Sequence, residues 1–529
     1  AEAGQWSEPS RLAYSFEEPA SGRRVYLGDL RVALVEVPGD AGDGLTGKAL
    51  VAVGTDQEGD VWATSSATGA LELVFAPPSP WPPPEGVYEG EAYADLPAMA
   101  ADGEGRVHAL WAEAASAGEP PEGLVYARWD GEGWTPPAQV LQCPEGGIGE
   151  PDLVVQGERL HAVWSCQEGV IYHSYAFAQD AYTAGGWSEP GLVSEARYFA
   201  DQPDLVVDAD GVLHAVFAVP VNEGRGIYYT RSADGEVWEA PSQVFDAAEA
   251  GWMAVGQPQL AVDAFGFLHV AWVQAPVLSN ALPDGVYYAR SLDGGERWSE
   301  AMDVTAGAYG WPQVVTAAEG RVHLVWREAS ERGGWWHRYS SDAGETWEGP
   351  ERVAGFEDVV VPVRLMADDN GALHLAGLEP DRLGSGTLLH ATWDGGRWSS
   401  PEAFRLEVDG VEEGLGASLA PALRRLDVMF RSEGQEEDGT AQAALWYTGR
   451  DVPVVAVTPA PVYVPQPTPT PLPTASPAPT AMPTPDFGDA PGTGEEPDLF
   501  LPILLAGGLA ALLIVGAIAA TRLVRARRK

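Results

Sequence analysis

The sequence predicts an all-β protein built from repeated four-stranded units, and three observations support this. The first is a recurring phrase in which a Trp is followed by two residues and then a Pro, with Ala301 in place of the Pro once. The phrase starts at Trp6, Trp81, Trp134, Trp187, Trp238, Trp298, Trp347 and Trp398. After the first gap, its spacing runs from 49 to 60 residues, a period that indicates an array of supersecondary units.

The other two observations concern the strands ahead of each Trp. Two apolar, β-branched runs joined by a Gly-containing turn precede the phrase, as in residues 203–219 and 258–274, and they read as a hairpin. A third run, such as residues 226–232, leads into an Asp-containing turn, and a fourth strand begins at the Trp. Four antiparallel strands repeated radially form a β-propeller.

Counting hairpins favours eight blades. They lie around Trp62, His108, His161, His214, His269, His323, His374 and Asp427. The last unit, which ends at residues 443–449, has no Trp phrase after it, and the phrase at Trp6 has no strands before it. We therefore expect residues 5–13 to supply the fourth strand of the last blade, which removes the free edges of the sheet. Because the first unit lacks an Asp turn, seven blades with an additional N-terminal element is the alternative.

The Asp-containing turns carry a family resemblance. Residues 340–347 read Ser-x-Asp-x-Gly-x-Thr-Trp, and residues 291–298 match except at the Thr position. This phrase resembles the Asp-box of sialidases (neuraminidases) and sialidase-like propellers, over roughly residues 1–450. The resemblance implies a structural turn between the third and fourth strands, in which the carboxylate accepts backbone N–H groups and the Gly permits positive φ. The turns predicted to be structural contain Asp130, Asp234, Asp293, Asp342 and Asp394.

The repeated histidines do not predict a metal site. His108, His161, His214, His269, His323 and His374 occupy one position in six units. Neighbouring copies are therefore a whole sheet apart, whereas zinc needs its ligands about 2.0–2.1 Å from one ion. The turns at Asp208–Asp210 and at residues 368–371 are compatible with calcium loops, but ordinary hairpin turns explain them without further ligands. We predict no metal and no cofactor.

A ligand is expected on the face that carries the irregular segments. In a four-stranded blade the Asp turns and the first hairpin turns share one face. The opposite face, called here the loop-rich face, carries the loops between second and third strands and the links between blades. Aromatic residues there would stack on a ligand, and arginines would clamp an anionic group, although the aromatics would serve equally to seal the rim. The candidates are Arg197, Tyr198, Arg225, Trp252, Tyr309, Trp311, Arg327 and Arg364.

The sialidase resemblance implies three arginines around a carboxylate, a Tyr–Glu nucleophile pair and an Asp acid/base. This sequence contains no Arg-Ile-Pro phrase, which contributes one of those arginines in many members of the family. The Tyr–Glu pair and the acid are not assignable from motifs, and eight blades depart from the six-bladed sialidase domain. Fold alone does not imply activity. We therefore expect binding of a carbohydrate or a surface protein without catalysis, with a sialidase-like glycoside hydrolase and a structural cell-envelope protein as alternatives.

The C-terminal region predicts a membrane anchor. Residues 451–498 are rich in Pro and Thr and read as a stalk, and residues 499–521 form an uncharged stretch long enough to span a bilayer. Residues 522–529 contain four arginines and a lysine, which places this tail in the cytoplasm and the propeller of residues 1–450 outside. Such a topology requires an export signal, which we expect to have been removed.

Compartment and charge restrict the partners. An extracellular setting permits a disulfide between Cys143 and Cys166, both expected on the loop-rich face. The formal net charge of −46 repels DNA, RNA and anionic lipid head groups at long range. The expected partners are therefore a glycan or a surface protein, with the membrane reached only through the C-terminal helix and no nucleic acid bound.

Overall fold

The computed structural model describes the backbone of six strands between residues 15 and 75, and then residues 81–457 with short gaps. The gaps are 91, 96, 145, 195–198, 276–282, 306–308, 318–319, 329–332, 381–385, 421–423, 436–440 and 456. The chain divides into two units, and every described residue lies in the first, Ala1–Val464. In the described part the regular structure is β, apart from a single 3-10 turn at Ala184–Gly186.

Six strands come first: β1 (Ser15–Glu17), β2 (Arg24–Tyr26), β3 (Gly28–Pro38), β4 (Thr46–Thr55), β5 (Val61–Ser65) and β6 (Leu71–Phe75). Six more follow: β7 (Glu85–Tyr88), β8 (Tyr93–Ala94), β9 (Ala98–Ala101), β10 (Val107–Ala114), β11 (Gly123–Trp129) and β12 (Ala138–Leu141). β1 pairs with β2, and β3–β6 form a four-stranded antiparallel sheet of their own.

Five separate four-stranded antiparallel sheets occupy residues 148–406, each in chain order. Blade 1 is β13 (Ile148–Gln156), β14 (Arg159–Cys166), β15 (Val170–Phe177) and β16 (Gly191–Leu192). Blade 2 is β17 (Asp201–Val207), β18 (Leu213–Val219), β19 (Gly226–Ser232) and β20 (Ser242–Asp246). Blade 3 is β21 (Val255–Val262), β22 (Leu268–Gln274), β23 (Gly285–Ser291) and β24 (Met302–Asp303). Blade 4 is β25 (Tyr309–Ala317), β26 (Arg321–Glu328), β27 (Trp335–Ser340) and β28 (Glu348–Arg352). Blade 5 is β29 (Arg364–Ala367), β30 (Leu373–Pro380), β31 (Gly386–Trp393) and β32 (Glu402–Leu406).

A nine-stranded sheet completes the propeller. It joins β7–β12 to the last three strands, β33 (Val411–Ala420), β34 (Arg425–Gln435) and β35 (Ala441–Asp451). Short β8 lies between β10 and β35 and links the two halves of this sheet. The inner strands contact one another in the closed order β9, β13, β17, β21, β25, β29, β33 and back to β9. The β-propeller architecture is therefore established by strand pairing.

The predicted number of eight blades is wrong. In the described residues five blades are separate four-stranded sheets. The nine-stranded sheet forms the rest of the ring and contributes two inner strands, β9 and β33. The four-stranded unit predicted around Trp62 does form, as β3–β6, but it contributes no strand to the closed order of inner strands given above. Counting hairpins gave the wrong number of blades because a repeated strand pattern predicts that a sheet forms. It does not predict which sheets belong to the same ring.

The predicted closing strand is also wrong. The outer neighbour of β35 is β7, with Leu445 opposite Tyr88 and Tyr447 opposite Glu85, while residues 5–13 lie outside the described residues. The Trp phrase next to the closing strand is therefore the one that starts at Trp81. Trp81 is buried, stacks on Phe404 at 6.4 Å and lies 5.0 Å from the Arg450 guanidinium. Both phrases have the same Trp pattern, so the pattern alone does not predict which of them pairs with the last strand.

The phrase tryptophans connect neighbouring blades. Trp347 of blade 4 meets Tyr288 of blade 3 edge-on at 4.9 Å, and Trp298 of blade 3 meets Tyr229 of blade 2 at 5.4 Å. Each of these tyrosines lies on a third strand, and its hydroxyl is 2.7 Å from Nδ1 of the second-strand histidine of its own blade. The same arrangement recurs around the ring, with His in place of Tyr on three third strands. The histidine pairs are His161–His173, His323–His337 and His374–His390.

This arrangement explains the repeated histidines. All nine are buried, and burial lowers the pKa of each of them, so they are neutral at pH 7. In each of these blades Nδ1 of the second-strand histidine contacts the third strand, and in blade 2 His214 Nε2 is also 3.1 Å from Asp208 Oδ2. Among the described residues, no group of three or more His, Cys, Asp or Glu is arranged to hold a metal ion.

The Asp-containing turns bond to themselves and dock on the preceding blade. In the turn of blade 4, the N–H groups of Glu345 and Thr346 donate to Asp342 Oδ1 at 3.0 and 2.8 Å. Gly344 has φ of +79°, which a Cβ would oppose, and it sits directly over Tyr288. The carboxylates of Asp130, Asp234, Asp293 and Asp394 likewise accept N–H groups from their own turns. These contacts are those of a structural turn.

No helix in the described part of the chain is long and apolar enough to cross a membrane. The predicted transmembrane segment 499–521, the basic tail 522–529 and nearly all of the stalk 451–498 lie outside the described residues.

Candidate functional site

A groove of about 430 Å³ lies on the loop-rich face. Its wall includes Gly147, Ile148 and Gly149, where blade 1 begins, and Phe199, Ala200 and Asp201, where blade 2 begins. The ends of second strands and the loops after them contribute Ser165, Cys166, Gln167, Gly169 and residues 220–222, and Pro120 completes the described lining. We call this feature the Phe199 groove, after the aromatic residue among its described lining residues.

A disulfide fixes one side of the groove. Cys166 ends β14, Cys143 lies in the link before blade 1, and their Cα atoms are 5.9 Å apart. Two further bonds hold the same wall: Gln167 N donates to Gly147 O at 2.8 Å, and Ile148 N donates to Pro121 O at 2.9 Å. The glycine-rich link 147–149 is therefore held against the loop that follows β14.

Phe199 is the exposed aromatic residue of the groove. Its side chain is 56% accessible, and its backbone is in the left-handed region at φ +56°, an uncommon conformation for a residue with a side chain. Gly169 makes this conformation possible, because a Cβ there would come within 2.5 Å of Phe199 Cα. Ala200 N donates to Gly169 O at 2.8 Å and locks the two segments together. The ring is thus presented to solvent by a fixed backbone.

Polar groups surround this apolar surface. Asp201 and Asn222 are exposed at the groove, and Gln167 Oε1 accepts the Gly147 N–H at 3.1 Å. Asp201 Oδ1 accepts the N–H of Gln202 at 2.9 Å, which orients its carboxylate. Val221, 40% exposed, adds apolar area. An aromatic surface with a few oriented polar groups is a typical small-ligand site.

Inner strands next to the groove are tied together by side-chain bonds. Asp152 Oδ2 accepts Leu205 N at 2.7 Å, and Asp204 Oδ2 accepts Leu260 N at 2.6 Å. Further along, Gln313 Nε2 donates to Gln259 Oε1 at 2.8 Å. Each of these side chains thus forms a hydrogen bond with a backbone or amide group of a neighbouring inner strand. These strands are the edge strands of their sheets in the described structure, so their outward backbone groups have no strand partner. We interpret this ladder as structural.

The carboxyl groups of the ladder have perturbed pKa values. Burial raises the pKa of Asp152, and burial together with the charge of Asp152 raises the pKa of Asp204 well above its usual range. Burial also raises the pKa of Glu150, and the charges of Asp95 and Asp201 act in the same direction. The positive charge of Arg364 opposes these shifts at all three groups. The charge of Arg364, a predicted ligand residue, therefore favours the ionised forms of these three carboxyl groups.

The other predicted arginines do not converge in the described structure. Arg225 Nε donates to Trp252 O at 2.6 Å, and the Trp252 ring lies against Phe245 at 4.5 Å and Tyr287 at 4.4 Å. Arg327 Nε donates to Val359 O at 3.2 Å. Each of these two arginines donates to a carbonyl group of an inter-blade link, Arg225 between blades 2 and 3 and Arg327 between blades 4 and 5.

The remaining predicted residues have mixed positions. Trp311 lies 5.8 Å below the Arg327 guanidinium, and its backbone N–H donates to Gln257 Oε1 at 2.8 Å. Tyr309 begins β25, but its side chain lies outside the described residues, as do Arg197 and Tyr198 entirely. Arg197 and Tyr198 directly precede Phe199 in the chain.

Sequence reasoning missed most groove residues outside this segment. Gly169, Asp201 and Asn222 belong to no repeated motif, and their proximity depends on how blades 1 and 2 are placed. The Pro-Asp and Pro-Gln pairs at the starts of inner strands do repeat, at Pro151–Asp152, Pro203–Asp204, Pro258–Gln259 and Pro312–Gln313. That signal would have identified the inner-strand ladder.

Some buried side chains have the residue types of a catalytic triad. In blade 2, Asp208, His214 and Tyr229 form a continuous hydrogen-bonded chain. The same chain recurs as Asp102, His108 and Tyr126, again inside a blade. Burial raises the pKa of Tyr126 and of Tyr229 well above the usual value for tyrosine. A hydroxyl that is buried and protonated in repeated copies packs the blade rather than attacking a substrate.

No known family matches the chain, and no curated protein matches it. Among solved structures, it is similar to a protein of unknown function from Dyadobacter fermentans, at 15% identity, 69% coverage of this chain, 97% coverage of that one and a TM-score of 0.44. A PL25 ulvan lyase gives 12% identity, 69% and 94% coverage and a TM-score of 0.46. The NanB sialidase of Streptococcus pneumoniae gives 11% identity, 78% and 85% coverage and a TM-score of 0.40. With TM-scores below 0.5, these likenesses carry no argument about the activity of this chain.

Proposed function

We propose that this chain is a carbohydrate-binding propeller that holds a sugar in the Phe199 groove. The observation that carries the proposal is the exposed Phe199 ring, held on Gly169 beside Asp201 and Asn222. A sugar has an apolar C–H face and a rim of hydroxyl groups, so it matches an aromatic surface bordered by oriented polar groups. A volume of about 430 Å³ falls within the usual range for small-ligand sites.

Binding without cleavage fits the arginines better than a sialidase reaction does. A sialidase-like site needs several arginine side chains around one carboxylate. Arg225 and Arg327 each donate to loop carbonyl groups of different blades, with Nε–O distances of 2.6 and 3.2 Å. We therefore assign these two arginines to holding loops, and we assign no catalytic residue.

Surface display completes the proposal. The Pro/Thr-rich residues 451–498, the apolar residues 499–521 and the basic residues 522–529 would place the propeller outside the cell on a stalk. In that position the loop-rich face would meet glycans of the surroundings. A surface protein would be contacted through its glycans.

The test is a glycan array followed by calorimetric titration of the detergent-solubilised full chain. Phe199→Ala should weaken binding of the best glycan at least tenfold, since burying a large apolar side chain contributes about 1.5–3 kcal/mol. Phe177→Ala is the matched control, because Phe177 is 42% exposed at the opposite end of blade 1. Equal binding by wild type and both variants would place the ligand elsewhere, and a silent array would contradict carbohydrate binding.

A further inference from the structure

We infer that the Phe199 groove selects uncharged glycans and discriminates against glycans that carry carboxylate groups, with Asp201 as the selecting residue. This inference rests on the proposed function, because it specifies the class of carbohydrate that the groove takes.

Asp201 is the carboxylate residue of the groove. It lines the groove two residues after Phe199, and its side chain is exposed. The Gln202 N–H donates to Asp201 Oδ1 at 2.9 Å, so the carboxylate has a fixed orientation beside the aromatic ring. A sugar stacked on Phe199 would place its substituents close to this negative charge.

The charge of Asp201 also acts on Glu150, which follows the groove residue Gly149 at the start of blade 1. Glu150 keeps access to solvent, but the surrounding protein partly desolvates its carboxyl group and raises its pKa. The charges of Asp95 and Asp201 raise this pKa further. Glu150 does not line the groove, so Asp201 carries the inference.

The described lining of the groove is negatively charged. The charge of Arg364 acts on Glu150, Asp152 and Asp204, and Arg431 forms an ion pair with Asp95 at 3.2 Å, but neither arginine is among the described lining residues. Among the described residues that line the groove there is one carboxylate, Asp201, and neither Lys nor Arg. An incoming carboxylate thus meets Asp201 without a compensating cation in the described lining.

The expected discrimination can be bounded from Coulomb's law. Two like unit charges about 4 Å apart in water repel enough to change affinity about fivefold. The effect grows where protein replaces water and shrinks as salt screens the charges. We expect uncharged sugars to bind at least about fivefold more tightly than their acidic counterparts at low salt.

The test uses sugar pairs that differ only in one group. Cellotriose, lactose and chitobiose are each compared with the uronic acid in which a terminal C6 alcohol is oxidised to a carboxylate. Binding to the detergent-solubilised full chain is titrated at low and at physiological salt. The groove variant is Asp201→Asn. Glu189→Gln, which removes an exposed carboxylate near the opposite face, is the matched control.

We expect wild type and Glu189→Gln to prefer the uncharged sugar, with a gap that narrows as salt rises. Asp201→Asn should narrow the affinity gap at low salt. Equal or tighter binding of the uronic acids by wild type would overturn the inference, as would a gap that Asp201→Asn leaves unchanged. The proposed function survives those two results, whereas binding of neither member of any pair would overturn both.

Discussion

Replacing His173 by Tyr should reduce the acid sensitivity of the propeller. In blade 1, His161 Nδ1 and His173 Nε2 are 3.1 Å apart, whereas blades 2 and 3 have a Tyr hydroxyl 2.7 Å from the corresponding histidine. Burial first, and then the charge of His161, lowers the pKa of His173 from 6.5 to about 3. His173→Tyr therefore introduces an arrangement that neighbouring blades already contain.

The sign and size of the effect follow from linkage. Because the folded pKa lies below the unfolded value of 6.5, the stabilising contribution is complete above about pH 6.5 and is lost as the pH falls toward the folded pKa. At pH 5, protonation of His173 in the unfolded chain favours unfolding about thirtyfold, which is about 2 kcal/mol. Asp204, whose raised pKa acts in the opposite direction, is present in wild type and variant alike, so its effect cancels in their difference.

Urea-induced unfolding, followed by tryptophan fluorescence at pH 7.5 and pH 5, measures this difference. Between the two pH values, wild type should lose about 2 kcal/mol more unfolding free energy than His173→Tyr. The reciprocal variant Tyr229→His, which creates a histidine pair in blade 2, should lose more than wild type. Equal losses in all three proteins would refute the reasoning.

Two further predictions concern the turns and the closing strand. Gly344→Ala should destabilise the protein by about 3 kcal/mol, because it combines positive φ with a clash against Tyr288, whereas Gly131→Ala, with φ +101° and open space around it, should cost about 1 kcal/mol. Equal losses in urea unfolding would mean that the turn does not dock on Tyr288. Trp81→Ala should cost about 3 kcal/mol, since Trp81 is buried against Phe404 and Arg450, while Trp6→Ala should leave propeller unfolding unchanged. The reverse result would return the closing role to the first phrase.

The repeat unit was predictable because its chemistry is local. Hairpin turns, β-branched runs and the Trp phrase each report on neighbouring residues, so the four-stranded sheets follow from the sequence. The closing strand was not predictable in this way. Trp6 and Trp81 begin the same pattern, and the pairing of β7 with β35 brings together segments more than 350 residues apart. That choice depends on burial against the last two blades.

The face that carries the groove was predictable from the sequence, but the residues of the groove were not. Antiparallel connectivity assigns the loops after second strands and the inter-blade links to one face, and the groove is there. Arg225 and Arg327 were expected to bind ligand because a guanidinium suits anions, but nearby loop carbonyl groups accept their N–H donors. The Phe199 platform depends on a left-handed backbone and on Gly169 from another loop. Neither feature leaves a sequence pattern.

Hydrogen–deuterium exchange with and without the uncharged glycan that binds best on the array tests the central claim most directly. The account predicts slower exchange in residues 147–149, 165–169, 199–201 and 220–222 when the glycan is bound, with no change in the Asp turns around Asp293 and Asp342. Protection confined to those turns, or to any blade outside the groove, would contradict the claim that the Phe199 groove is the binding site.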